Sequence, residues 1–121
     1  MYIKEIEWLD EESKEAILNV VSDGHSMICF SHPCVYDIGD TLSDPLECLD
    51  INDVILCESQ EEDIEKIGKT FNYRIRGRIT SKADTILEVC GFSLHLDKNK
   101  IPNDIIEGAY IQFVTSRVDI W

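Results

Sequence analysis

The stretch EAILNVVSDGHSMICF, residues 15–30, constrains the fold more than any other part of the chain. Apolar and polar residues alternate in it with a period of two, the repeat of a β-strand. Ala16 to Ser22 and His25 to Phe30 read as two strands, and Asp23-Gly24 between them suits a two-residue hairpin turn. With Ser22 opposite His25, Val20 faces Met27 and Leu18 faces Cys29. Ile17, Val21, Ile28 and Phe30 form a second apolar set on the other side, so the hairpin is expected to be central and covered on both faces.

The same period recurs along the chain. DVILCE (53–58), Phe71 to Thr80, Ile86 to Leu96 and Ala109 toward Trp121 read as strands, and YIKEIEW at the start adds another. Residues 31–50 read as an irregular bend, broken by Pro33, Gly39 and Pro45. In the last strand Ile111 and Phe113 hold odd positions while Val118 and Ile120 hold even ones, which predicts a bulge or bend near Thr115 to Arg117. SQEEDIEKIGK is the single expected helix: Ser59 stands three residues before Glu62, and Ile64 and Ile67 have helical spacing. The expected architecture is mainly β, a small, partly open OB-like barrel with one short helix, over a single domain at 1–121. An α+β fold with a mixed or antiparallel sheet is the alternative.

With 11 Lys and Arg against 24 Asp and Glu, the formal charge is −13. Such a surface repels phosphate backbones and attracts basic ones, which argues against general nucleic-acid binding. Carboxylates in MYIKEIEWLDEESKE stand where a secretory signal needs a basic start and an apolar run, and no apolar run approaches the ~20 residues of a membrane helix. A soluble, cytoplasmic protein is expected, and its five cysteines, an odd number set in apolar runs, are expected to be free thiols.

Chemical motifs are weak. His25, Cys29, His32 and Cys34 are ligand types for zinc, but no C-x₂-C pair is present, so no metal and no cofactor are expected. Cys34 or Cys90 would need His32 or His95 as a base and an electropositive setting, which a carboxylate-rich chain disfavours. GDT and GKT lack the flanks of a phosphate loop. A ligand pocket at the SHPCVYDIGD bend is a remaining possibility.

Two features bear on function. Glu47, Asp50, Asp53, Glu58, Glu61, Glu62, Asp63 and Glu65 form an acidic run able to capture a basic partner. In RIRGRIT, Arg74, Arg76 and Arg78 take every second position of a strand, so all three share one face. They read either as an anion-binding row or as partners for neighbouring carboxylates, with Arg78 set opposite Glu88. Phe71 and Tyr73 lie on the opposite face, which argues against a joint stacking and phosphate platform. The expected function is a non-enzymatic, acidic protein-binding module, for example an immunity- or antitoxin-like inhibitor that masks a basic nuclease toxin. The alternative is an OB-type module that binds single-stranded nucleic acid through the three arginines.

Overall fold

In the computed structural model, which describes residues 1–121, the expected strands are joined by Leu46–Leu49 from the expected bend and Asp63–Lys66 from the expected helix, giving eleven strands of one sheet. They are β1 (Tyr2–Asp10), β2 (Glu15–Ser22), β3 (His25–Ser31), β4 (Leu46–Leu49), β5 (Asn52–Cys57), β6 (Asp63–Lys66), β7 (Tyr73–Ser81), β8 (Ile86–Val89), β9 (Phe92–His95), β10 (Tyr110–Thr115) and β11 (Arg117–Ile120). The hairpin forms in the expected register, with Ser22 opposite His25, Val20 opposite Met27 and Leu18 opposite Cys29. Asp23 and Gly24 both take positive φ, 48° and 77°, the turn whose twist matches that of the flanking strands.

The strand order is β1-β2-β3-β11-β4-β9-β8-β7-β10-β5, with β6 added beside β7. Two neighbouring pairs, β3 with β11 and β4 with β9, are parallel, so the sheet is mixed. Its end strands β1 and β5 do not pair with each other, and the closure that an OB-like barrel requires is absent. Of the α+β alternative, the mixed sheet is found, open at its ends, but almost no helix accompanies it.

The sheet curls enough to bury one face against itself. Leu18, Met27, Val118, Leu94, Leu87, Ile75 and Phe113, from seven different strands, all lie in one core. The hydroxyl of Tyr73 in β7 accepts a hydrogen bond from the Ile28 N–H of β3 at 2.9 Å, although the two strands are far apart in the order. The apolar burial of these side chains favours the curl, and Tyr73 supplies the polar bond that lets a β3 amide lie beside it.

Three expectations are corrected. SQEEDIEKIGK is not a helix: the only helical residues are one 3₁₀ turn at Lys98–Lys100. The Ser59 hydroxyl accepts from Glu61 N–H at 3.2 Å in a local turn, and Asp63–Lys66 then pairs with β7. A helix this short is marginal alone, whereas the strand places Ile64 opposite Ile75 and Glu65 opposite Arg74. Ile86 to Leu96 is two strands, because Cys90 and Gly91 take φ of 48° and 81° and form a second hairpin turn. The hairpin is not evenly covered: Ala16, Leu18 and Val20 are buried, whereas Ile17, Asn19 and Val21 are half-buried.

The final strand breaks where its parity changes. Ser116 separates β10, which runs between β7 and β5, from β11, which runs between β3 and β4. Thr115 Oγ1 donates to Leu49 O at 2.7 Å across this break, so the bend is bonded to the end of β4.

Candidate functional site

The three arginines of β7 each stand directly opposite a carboxylate. Arg74 faces Glu65, Arg76 faces Asp63 and Arg78 faces Glu88. The last pairing is reached through a register shift between Ile79 and Ser81. Arg74 Nη1 lies 3.0 Å from Glu65 Oε1, and Arg76 Nη1 lies 3.6 Å from Glu61 Oε2. Arg76 Nη2 also donates to Gln112 Oε1 of β10 at 2.9 Å. One edge of β7 is covered by β10 and the other by β6 and β8 in succession, so its backbone is paired on both sides; Arg74 and Arg76 have ion-pair partners, whereas Arg78 is exposed without one and Arg76 Nε is buried without a partner. Tyr73 is buried, with its hydroxyl engaged by Ile28, and offers no face on which a base could stack.

The acidic run divides into three groups. Glu61, Asp63 and Glu65 lie beside the arginines. Glu47 is half-buried, and its Oε2 lies 2.7 Å from Nδ1 of His95, its neighbour across the parallel β4 and β9 pair. Asp50 accepts from the Ser116 hydroxyl at 3.1 Å. Asp53, Glu58 and Glu62 are exposed and have no basic group within ion-pairing distance.

A wider pattern, present in the sequence but not captured by reading the run from Glu47 to Glu65, organises these groups. No Lys or Arg stands between Lys14 and Lys66, whereas thirteen Asp and Glu do, so this segment carries the whole formal charge of −13 and the remainder of the chain cancels. Of the thirteen, Glu61 and Glu65 form ion pairs with arginines and Glu47 contacts the His95 ring, which leaves ten without a basic group within ion-pairing distance. The charge-unbalanced segment supplies β2 to β6, including the end strand β5.

An open cavity of about 570 Å³ is lined by Glu47, Asp50, His95, Asp97, Lys98 and Trp121, with Cys48 and Leu49 behind them. The Glu47 carboxylate orients the His95 ring. No thiolate is available there, because burial and the neighbouring Glu47 push the Cys48 thiol far up. Cys90 is also raised, by burial and then by Glu62, Asp63 and Asp23. All five cysteines are free thiols. Cys29 and Cys34 are buried while His25 and His32 are exposed, and no three His, Cys, Asp or Glu side chains converge as a metal ion requires. The SHPCVYDIGD bend packs along β1, with Ile3 N–H donating to Asp40 O at 2.9 Å, and leaves a cavity of only about 110 Å³ near Tyr36 and Pro45. No helix is long and apolar enough to cross a membrane.

A family model described as "Uncharacterised conserved protein UCP019853" matches residues 1–121. Neither the curated proteins nor the solved structures give a match.

Proposed function

The chain belongs to the family described as Uncharacterised conserved protein UCP019853, and we propose that it is a non-enzymatic, acidic module that binds a basic protein. The observation that carries this reading is the segment between Lys14 and Lys66, with thirteen carboxylates, no Lys or Arg, and ten carboxylates without a basic group within ion-pairing distance. Unanswered charge of one sign costs stability through self-repulsion, and a partner of opposite sign recovers that cost while being steered to the surface. An inhibitor of immunity or antitoxin type is one concrete form, since a nuclease needs a cationic site that such a surface can occlude. The OB-type nucleic-acid reading draws no comparable support: Arg74, Arg76 and Arg78 each face a carboxylate, and Tyr73 is buried.

Affinity capture from native cells at low and moderate salt, with proteins and nucleic acids both identified, tests the proposal. One basic protein retained in stoichiometric amount, and lost as salt rises, is the expected result. Nucleic acid retained without protein, or an empty bait, contradicts it.

A further inference from the structure

The two end strands of the open sheet are protected very differently. The outer side of β1 is covered at its start by residues 39–42: Ile3 N–H donates to Asp40 O at 2.9 Å, Gly39 N–H to Ile3 O at 2.7 Å and Leu42 N–H to Met1 O at 2.9 Å. Strand β1 also carries Lys4 and two register shifts, both devices that discourage a further strand from pairing. On β5 there is no loop cover and no Lys; its one register shift falls at its start, where Asp53 takes a φ of 53°, and Ile55 to Cys57 pair regularly with β10 beyond it. Strand β5 pairs only with β10, and no backbone hydrogen bond from a loop reaches residues 52–57. No Lys, Arg or Pro occurs from Leu46 to Glu65.

Its side chains are equally open. Ile55 and Leu56 are consecutive, so they point to opposite faces, yet they are 54% and 61% exposed. Apolar groups exposed on both faces of one free edge are what an added strand would cover. Asp53 and Glu58 bracket them and have no ion-pair partner.

We infer that the free edge of β5 receives an extended, basic segment of the partner protein as an additional strand. This rests on the acidic-module reading above and specifies the form in which the partner docks. Charge selects the occupant: a second copy paired about Ile55 and Leu56 would bring the Asp53 and Glu58 carboxylates of both copies close together, and that like-charge crowding disfavours the contact. A segment with Lys or Arg at both ends and apolar residues between them turns both positions into attractive pairs. Asp53 and Glu58 stand at the two ends of the regularly paired stretch Ile55 to Cys57, so the basic residues must flank the apolar ones. Main-chain hydrogen bonds then supply affinity, and the charged ends supply register and selectivity.

The probe is a capped peptide, Lys-Thr-Val-Val-Thr-Lys, titrated at low salt into the isotope-labelled protein. A control peptide of the same sequence is N-methylated at alternate residues, which keeps its charge and removes its hydrogen-bond donors. Shift changes and slowed hydrogen exchange confined to Asn52–Cys57, with about tenfold weaker binding of the methylated peptide, are the expected result. Leu56→Lys abolishes this binding and leaves the protein's own spectrum otherwise unchanged. Equal binding of both peptides overturns strand addition and leaves the acidic-surface reading in place. Perturbation centred on β1 or on the Glu47 and His95 cavity likewise overturns it. Absence of binding by either peptide counts against both readings.

Discussion

Strands β7 and β5 are separated only by β10, yet they represent opposite ways of placing charge in a sheet. On β7 every arginine faces a carboxylate and both edges are hydrogen-bonded, while Tyr73, Ile75 and Ile79 are buried on the other side. On β5 one edge is open, Ile55 and Leu56 are exposed, and the flanking carboxylates have no counter-ion. The first arrangement holds the fold together. The second leaves an exposed, charged edge, the surface that the proposed basic partner would cover.

The comparison is sharpened most strongly by side-chain truncation. Ile75→Ala empties a fully buried site and is expected to cost about 3 kcal/mol in urea unfolding, whereas Leu56→Ala on β5 should change stability by no more than about 0.5 kcal/mol. Equal losses at the two sites would break the distinction between a structural strand and an interactive one. Gly77→Ala comes next, because an added Cβ would lie 2.6 Å from both Glu88 O and Leu87 Cδ2; a loss of about 2 kcal/mol by the same assay is expected.

Tyr73→Phe leaves the Ile28 N–H without its acceptor and should cost about 1.5 kcal/mol. It also bears on pH. Burial raises Tyr73 above its ordinary 10.0, and burial with the neighbouring acidic groups raises Cys29 and Cys48 above 9.0. Each group is neutral when protonated, so the unfolded chain releases its protons first and stability falls as pH rises. The fold should therefore hold its denaturation midpoint below about pH 9 and lose it progressively above, and Tyr73→Phe should flatten the part of that loss lying above pH 10. The smallest effect belongs to the exposed Arg74 and Glu65 pair: a double-mutant cycle with Arg74→Gln and Glu65→Gln should return a coupling of about 0.5 kcal/mol.

Local chemistry explains which parts of this architecture are readable from sequence. Asp23-Gly24 announces its hairpin because both residues accept positive φ, and the residues on either side keep one register. The break at Ser116 is legible from the change of parity between Phe113 and Val118. The same change separates Val89 from Phe92, and there Cys90-Gly91 was available as a turn signal that the apolar run obscured. Ile64 and Ile67 satisfy a helical spacing, but pairing with β7 supplies Ile75, Arg74 and Arg76 as neighbours, which no window of local sequence contains. Of the arginine contacts, Arg78 with Glu88 follows from the β7 and β8 hairpin, whereas Arg74 with Glu65 depends on β6 being a strand. The gap in Lys and Arg from 15 to 65 is visible in the sequence, but that β5 ends the sheet follows only from strand order.

Association kinetics separate unpaired carboxylates around β5 that engage the proposed basic partner from those beside β7 that serve the fold. The rate constant for the captured basic protein would be measured against ionic strength for the unaltered chain, for Asp50→Asn/Asp53→Asn/Glu58→Gln, and for Glu61→Gln/Glu65→Gln. Slower association and a shallower salt dependence are expected in the first variant, with a much smaller change in the second. Equal effects in the two variants, or unchanged rates in the first, would contradict the proposal.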